Sequence, residues 1–212
     1  ATDFTYRHPL FVVATGEFND TRMGATMDSY LNGYNDPRIS SYFMLSSEGK
    51  YTGIRTGIEM NREKYALKAP FSDLTIKASD ELVWMNPSEA YFLRAEGAAR
   101  GWNMGGEEKD LYEAGVRLSF EICGVSGADA YLADATSVPA PYTDPANSGN
   151  SVGEGSPLLG DITIKWNEDA GFEEKLERII TQKWIAIYPD GQEAWSEFRR
   201  TGYPKVFPVV IN

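Results

Sequence analysis

The segment "NPSEAYFLRAEGAARGW", residues 86–102, carries the strongest secondary-structure signal in the chain. Asn86 is a favoured N-cap residue, and Pro87 suits the first helical position because its fixed φ is helical and its missing N–H would be unpaired there anyway. Glu89 follows the cap by three residues, which is the spacing of a capping box. Small and apolar residues then recur at steps of three and four. We therefore expect a helix to about Trp102 whose face lets another helix approach closely.

A second helical pattern follows after a short turn. Gly105 and Gly106 can end the first helix, because glycine adopts the left-handed conformation of a helix C-terminus at little steric cost. Over residues 107–124, small and apolar side chains share one face: Leu111, Ala114, Gly115, Leu118 and Ile122. Two such helices predict an antiparallel hairpin close in length to the ~34-residue tetratricopeptide unit.

The rest of the chain has shorter patterns. Further helices are expected over about Thr21–Asn32 with Asn19 or Asp20 as the cap, after "YNDPR", in "GADAYLADA", around Leu176–Ile187, and over Gln192–Arg200. Residues 40–70 and "DITIKW" resemble short extended pieces, and the Pro-, Ser- and Gly-rich stretch that follows Ala135 predicts a long functional or mobile surface loop. The predicted fold class is mainly α: tetratricopeptide-like helical hairpins with long irregular loops and a few short strands.

Composition limits the classes of function. The 212 residues are 42% hydrophobic, which suffices for the core of one domain or a little more. A formal net charge of -11 disfavours nucleic acid as a partner, because phosphate binding depends on clustered Lys and Arg. Cys123 is the only cysteine, so an intrachain disulfide and a thiolate metal cluster are both excluded, and we expect it to be a small buried residue. No segment approaches the ~20 apolar residues that cross a bilayer.

The chemistry-bearing residues do not form a recognisable catalytic motif. His8 is the only histidine, which excludes multi-histidine metal sites, leaves a single residue for any Ser-His-Asp triad and favours a loop hydrogen bond. With 31 Asp and Glu residues, some carboxylate pair must lie at a workable distance, so a glycoside hydrolase stays open without being favoured. We expect four helical glutamates to be caps or partners of nearby arginines: Glu89, Glu96, Glu193 and Glu197. A calcium site in "TDPANSGNSVGEG" lacks EF-hand spacing, so we assign no metal, cofactor or catalytic residue.

Aromatic residues are abundant, with 12 Tyr, 10 Phe and 5 Trp. Flat apolar rings can stack on the C–H faces of sugars, so some of them are candidates for glycan binding. Helical spacing favours a core position for Trp102, Trp184 and Trp195. Exposure is more plausible for the tyrosines of loop-like segments: Tyr6, Tyr42, Tyr51 and Tyr142. In "EAWSEFRRTGYPKVFP", residues 193–208, Trp195 and Phe198 are expected to reach the core, so Trp195→Ala should lower stability by about 3 kcal/mol.

Three separated motifs together carry a family resemblance: "YNDPR", "NPSEAYFLRAEGAARGW" and "EKLERIITQKWIAIYPDGQEAWSEFRRTGYPKVFP". In this order they resemble the RagB/SusD family of Bacteroidetes outer-membrane nutrient-binding lipoproteins. The resemblance covers nearly the whole chain. Family members are considerably longer, and their first helical repeats lie in a half without counterpart here. We therefore expect residues 1–212 to be a single domain or fragment, the C-terminal part of a SusD-like protein.

The resemblance implies a cell-surface carbohydrate-binding protein without catalysis, lipid-anchored at the outer membrane through an anchor outside this chain. It implies oligosaccharide or polysaccharide as ligand and a SusC-like TonB-dependent transporter as the partner that receives it. Tyr42, Tyr51 and Arg55 are candidate ligand-binding residues because of their type and their loop positions. Two alternatives stay open: a protein-interaction module of helical repeats and, less favoured, a glycoside hydrolase.

Overall fold

The computed structural model describes residues 7–17, 19, 21–59 and 70–210. A short helical segment at Pro9–Phe11 continues in π-helical turns over Val12–Glu17. The α-helices that follow are α1 Ala25–Gly33, α2 Ile39–Tyr42, α3 Pro87–Ala99, α4 Glu108–Ile122, α5 Ala128–Leu132, α6 Phe172–Ala186 and α7 Gly191–Thr201, with a 3-10 turn at Ser148–Asn150. The mainly α prediction is confirmed. In place of short strands, the described residues form isolated bridges: Gly24 with Ile54, Phe43 with Leu74, and Tyr142 with Val152.

The hairpin of α3 and α4 forms as predicted. Asn86 Oδ1 accepts the N–H of Ser88 at 3.0 Å, and Pro87 opens the helix. The prediction that the Glu89 side chain completes the capping box is wrong, because this side chain pairs with Lys183 instead. Helix α3 also ends at Ala99, three residues before the predicted end, with Arg100 as its C-cap.

Close approach of the two helices depends on Gly115. A Cβ atom at this position would lie 3.0 Å from the ring of Phe92, which is fully buried. The buried face of α4 is Leu111, Tyr112, Gly115, Val116, Ser119 and Phe120. The buried face is rotated about the helix axis from the predicted face. Ile122 belongs to the predicted face and is 48% exposed.

We expect Gly115→Val to lower the free energy of unfolding by about 1–3 kcal/mol, because the added methyl groups must displace a close-packed ring. Urea denaturation followed by far-ultraviolet circular dichroism measures the loss. Gly153→Val is the matched control, since a Cβ there meets nothing within 4 Å. Equal stability of the two variants would contradict the close helix approach.

The segment "DITIKW" keeps its predicted alternation but does not form a strand. Ile162, Ile164 and Trp166 are buried. The backbone between them is bonded by side chains: Tyr34 Oη donates to the carbonyl of Ile162 at 2.8 Å, and Tyr112 Oη donates to that of Ile164 at 2.7 Å. Buried carbonyls need a partner, and here tyrosine hydroxyls replace a neighbouring strand.

Helix α1 begins later than predicted, at Ala25 with Gly24 as its N-cap, so the expected cap at Asn19 or Asp20 is wrong. The residues before it are held in extended form by backbone bonds to a distant loop. The N–H of Ile54 donates to the carbonyl of Met23 at 2.7 Å, and the N–H of Ala25 donates to the carbonyl of Ile54 at 2.9 Å. Tertiary pairing therefore overrides the local helical pattern.

The long loop after Ala135 is built into the core. Tyr142 is 1% exposed, and its hydroxyl donates to the carbonyl of Gly53 at 2.9 Å. Ser29 and Ala140 exchange two hydrogen bonds, one through the backbone at 2.8 Å and one through the serine hydroxyl at 2.6 Å. These contacts fix part of the loop against α1, while Pro141, Thr143 and Pro145 are exposed, so the loop lies at the surface as predicted and is anchored by buried side chains.

The motif "YNDPR" holds a fully buried ion pair. Asp36 Oδ2 lies 2.5 Å from Arg38 Nη2, and both side chains are 0% exposed. The guanidinium also donates to Ser119 Oγ at 3.0 Å, Gln182 Oε1 at 2.9 Å and Tyr131 Oη at 3.2 Å. Because those residues lie on α4, α6 and α5, this arginine joins three helices at one point. The brief helix expected after Pro37 is present as α2.

A second buried cation joins α3, α6 and α7. Lys183 is 1% exposed, and its Nζ lies 2.7 Å from Glu193 Oε1, 3.2 Å from Glu89 Oε1 and 3.6 Å from Glu197 Oε1. The structural role predicted for these glutamates is confirmed. The expected arginine partner is wrong for Glu89 and Glu193, which pair with this lysine.

The neighbouring cluster does use arginines. Arg200 binds both carboxylate oxygens of Glu96 at 2.6 Å and also pairs with Glu197 at 2.7 Å. Arg100 binds the same Glu96 at 2.8 Å. These cations lower the pKa of Glu96 despite its burial. The end of α7 is thereby attached to α3.

Several aromatic residues differ from expectation. Trp102 is 64% exposed and Trp195 is 56% exposed, so their predicted core positions are wrong. Trp195 instead stacks on Phe198 with ring centroids 6.2 Å apart, and the predicted loss of about 3 kcal/mol for its truncation no longer applies. Tyr42 is buried rather than exposed. Tyr6 lies outside the described residues.

No helix in the described part of the chain combines the length and the apolar character needed to span a membrane.

Candidate ligand-binding site

A cavity of about 470 Å³ opens between the start of α1, the end of α6 and the C-terminal segment. Its lining includes four aromatic and two arginine side chains: Phe43, Trp184, Tyr188, Phe207, Arg22 and Arg55. No Asp or Glu lies among its described lining residues, although the chain as a whole is acidic. The cavity is therefore apolar with a small number of cationic donors, which is the usual composition of a small-ligand site.

Arg55 is the less satisfied of the two arginines. Its Nη1 donates to the carbonyl of Asn150 at 3.1 Å and its Nη2 to that of Pro208 at 3.3 Å. The guanidinium lies 5.7 Å from the ring centroid of Phe207. Its Nε is buried and has no hydrogen-bond partner among the described residues. A buried donor without a partner is unfavourable, so the guanidinium of Arg55 is incompletely stabilised by the described residues.

Arg22 has a carboxylate partner. Its Nη1 lies 3.0 Å from Asp73 Oδ1 and donates to the carbonyl of Thr21 at 2.7 Å, and its side chain is 8% exposed. Arg55, in contrast, has no carboxylate at ion-pair distance in the described ranges. Among the described residues that line the cavity, Arg55 therefore carries the positive charge that no carboxylate balances.

The aromatic wall is held by the core behind it. The Tyr188 ring lies 5.0 Å from Phe43 and 4.7 Å from Tyr42, and Trp184 makes an edge contact with Tyr30 at 5.6 Å. Burial raises the pKa of Tyr188, so its hydroxyl stays neutral at physiological pH. Rings fixed in this way lose little conformational entropy when a ligand binds.

The structure places the three predicted residues differently. Arg55 lines the cavity. Tyr42 is 7% exposed and lies behind the wall, where its hydroxyl accepts a hydrogen bond from Cys123 Sγ at 3.4 Å. Tyr51 is half-buried against the core, and its carbonyl accepts from Asn32 Nδ2 at 3.1 Å. Of the three, only Arg55 is part of this cavity.

Sequence reasoning did not select the other cavity residues. The helical spacing of Trp184 predicts a core position, whereas the structure shows it half-buried and lining the cavity. Phe207 stands within the quoted motif "TGYPKVFP", but nothing local distinguishes it from a packing residue. The lining comes from segments far apart in the chain, so only the fold brings it together.

The remaining polar candidates have structural partners. His8 Nδ1 accepts the N–H of Leu10 at 3.2 Å, as the predicted loop hydrogen bond requires. Asp144 Oδ1 accepts the amides of Ala146 and Asn147 at 2.8 and 2.9 Å, which engages the loop considered for calcium. Within the described ranges, no cluster of three or more His, Cys, Asp or Glu side chains is arranged to hold a metal ion.

Residues 1–212 match the family described as SusD-like, "SusD and RagB outer membrane lipoprotein". The chain belongs to this family. A comparison with functionally curated proteins gives no significant match.

Solved structures of the same family agree with this assignment. A chitin-binding SusD homologue from Flavobacterium johnsoniae is 48% identical with a TM-score of 0.90, over 98% of this chain and 42% of that one. A SusD homologue from Bacteroides uniformis is 47% identical with a TM-score of 0.88, over 97% of this chain and 43% of that one. A SusD-like protein from Bacteroides thetaiotaomicron is 45% identical with a TM-score of 0.87, over 97% and 43%. This chain thus spans less than half the length of these relatives.

Proposed function

We propose that this protein binds an oligosaccharide at the outer-membrane surface without chemical turnover and passes it to a TonB-dependent transporter. The observation that carries glycan binding is the similarity to a chitin-binding relative, 48% identical over 98% of this chain. Membership of an outer-membrane lipoprotein family supports the location. The transporter is the partner that the family resemblance implies, and co-purification with the complete protein would test it.

The arginine-containing cavity is the glycan site in this proposal. Its volume of about 470 Å³ falls in the usual range of ligand pockets. Trp184, Tyr188 and Phe207 offer apolar faces for the C–H surfaces of sugar rings. Arg55 supplies guanidinium donors for hydroxyl, acetamide or carboxylate oxygens. A uronate-bearing glycan is compatible with this local positive charge even though the net charge of the chain is -11.

The absence of carboxylates from the described cavity lining supports binding without hydrolysis. Glycoside hydrolases generally require two carboxyl groups facing the scissile bond, about 5–10 Å apart. The buried glutamates of α3 and α7 are engaged by Lys183 and Arg200. Of these cluster residues, Glu89 lines one neighbouring cavity and Arg200 another. Release of reducing ends from a glycan by the purified protein would instead favour the hydrolase.

We expect Arg55→Met to weaken glycan binding about tenfold or more, because a hydrogen bond to a charged group contributes about 1.5–3 kcal/mol. Isothermal titration with chitohexaose, a neutral α-glucan oligosaccharide and an oligo-uronate identifies the ligand class and measures the loss. Arg94→Met is the matched control, since Arg94 also lies over a ring, that of Tyr91, and donates to a carbonyl, that of Met104, away from the cavity. Unchanged affinity in Arg55→Met would remove the cavity from the proposal, and flat titrations with all three glycans would contradict glycan binding by this chain.

A further inference from the structure

Two polar side chains of α1 bind the backbone of the segment that leads to Arg55. Asp28 Oδ2 accepts the N–H of Gly53 at 2.7 Å, and Asn32 Nδ2 donates to the carbonyl of Tyr51 at 3.1 Å. Asn32 Nδ2 also donates to Asp28 Oδ1 at 2.7 Å. Because Asp28 and Asn32 lie one helical turn apart, together they bind a carbonyl and an N–H that a neighbouring strand would otherwise bind.

Gly53 packs directly against the start of α1. A Cβ atom at this position would lie 2.5 Å from the carbonyl oxygen of Gly24 and 2.8 Å from the Cα atom of Ala25. From another side, the hydroxyl of Tyr142 donates to the carbonyl of Gly53 at 2.9 Å. Only glycine allows two backbones to approach so closely, so the position of this segment relative to α1 is tightly defined.

These contacts connect two walls of the arginine-containing cavity. Residues 24–27 at the start of α1 line one side, and Arg55 and Thr56 line another. Asp28 itself does not occur in the described lining. It bears on the cavity through the backbone, because the N–H that it binds belongs to Gly53, two residues before Arg55.

The Asp28 carboxylate is buried, with 9% of the residue exposed. Both of its oxygens face N–H donors, an arrangement that favours the ionised form. Burial raises the pKa of this carboxyl group, and the hydrogen bonds from Gly53 and Asn32 offset the rise only in part. Among the described residues, no charged side chain has a comparable effect on that pKa. The ionised carboxylate therefore costs stability, which is typical of residues retained for a functional task.

We propose that Asp28 is a positioning residue for ligand binding, which holds Arg55 at the cavity through the backbone of Gly53 and loses this effect when it is protonated. The inference rests on the proposed function of the arginine-containing cavity. A displaced backbone at Gly53 moves the guanidinium relative to the carbonyl of Pro208, 3.3 Å from Nη2, and to the ring of Phe207. Small displacements of this kind weaken recognition, because a binding group acts only from its correct position.

Asp28→Asn tests the carboxylate with almost no change of shape. Asparagine has one acceptor oxygen and an NH2 group, so either Gly53 or Asn32 then faces a donor instead of an acceptor. We expect chitohexaose binding at pH 7 to weaken about fivefold, the equivalent of one lost hydrogen bond. The melting temperature should change little, since the variant also removes a buried charge.

Asp134→Asn is the matched control. Asp134 Oδ1 also accepts backbone N–H groups, those of Thr136 at 2.8 Å and Ser137 at 3.0 Å, but Asp134 lies outside the described lining of the cavity. Titration calorimetry with chitohexaose should give the native affinity for this variant. A merely structural role for Asp28 would lower the melting temperature and leave the affinity of the folded protein unchanged.

The pH profile of the affinity identifies the carboxylate. In the native protein, the affinity should be constant above the raised pKa of Asp28 and fall as the pH drops through it towards about 4, the ordinary aspartate value. The reason is that the ligand-competent arrangement contains the ionised group. Chitohexaose has no group that titrates in this range, so Asp28→Asn should abolish the fall.

Nuclear magnetic resonance of the Arg55 Nε–H in the free protein separates this inference from glycan binding. The signal should shift with the titration of Asp28 in the native chain, be displaced in Asp28→Asn and stay unchanged in Asp134→Asn. The proposal is overturned if the Arg55 signal neither titrates nor differs in Asp28→Asn, or if that variant binds chitohexaose with native affinity. Flat calorimetry together with a titrating Arg55 signal would contradict the glycan site while supporting the connection between Asp28 and Arg55.

Discussion

Replacing Arg38 by methionine is expected to lower the free energy of unfolding by about 3–5 kcal/mol, the range for breaking a buried ion pair from one side. The variant leaves the Asp36 carboxylate unneutralised at 0% exposure. It also removes hydrogen bonds to Ser119, Tyr131 and Gln182, and those three polar groups stay buried. Urea denaturation at pH 7 measures the loss.

Arg117→Met is the matched control. Arg117 pairs with Glu113 at 3.0 Å and Asp129 at 2.8 Å, but its side chain is 47% exposed. Solvent-screened pairs of this kind contribute about 0–1 kcal/mol. If Arg38→Met were no more destabilising than Arg117→Met, the buried pair would not be the connection between the helices that the structure indicates.

The second large effect is expected from Lys183→Met. This substitution keeps most of the side-chain volume and leaves Glu89 and Glu193 facing each other without a cation, while Glu197 keeps Arg200 at 2.7 Å. We expect a loss of about 3–5 kcal/mol at pH 7, because Glu89 and Glu193 then lie together with no balancing charge. Lys109→Met is the control, since Lys109 pairs with Glu168 at 3.5 Å and both side chains are largely exposed.

The pH dependence of the Lys183 variant gives a signature that a packing defect would not. In the native protein, burial raises the pKa of Glu89, while the hydrogen bond and charge of Lys183 lower the pKa of Glu193. Without the lysine, the pKa values of both carboxyl groups rise above their unfolded values. Such groups favour the folded state when protonated, so the stability deficit against the native protein is largest at pH 7. It should shrink as the pH falls towards about 5, the upper side of the glutamate range. A deficit that is constant with pH would contradict the charge explanation.

The hairpin was predictable because its signals are local. The cap at Asn86 and the small residue at Gly115 are readable from the sequence, since a helix places residues three and four apart on one face. Only some of the ion-pair partners could be predicted from the sequence. Helix spacing predicts a partner for Glu96 four residues later, and Arg100 is that partner. Lys183, in contrast, pairs with Glu89 from a helix about 94 positions later in the sequence, and helix spacing cannot indicate such a partner.

The candidate site was less predictable than the fold. Residue type and loop position indicate Arg55 as a candidate, and the structure places it at the cavity. The same reasoning selected Tyr42, which the fold buries against Tyr188. A tyrosine in a loop-like segment is exposed only if no other element covers it, and that depends on tertiary packing. The exposure of Trp102 and Trp195 could not be predicted from helical spacing for the same reason.

The central claim is that a glycan occupies the cavity containing Arg55. Nuclear magnetic resonance of the labelled chain during titration with chitohexaose, and with an oligo-uronate in parallel, tests it most directly. The account predicts saturable shifts for the Arg55 Nε–H and the indole N–H of Trp184, both at the cavity, while the exposed indoles of Trp102 and Trp195 stay unchanged. Shifts confined to Trp102 or Trp195, or no shift with either glycan, would contradict it.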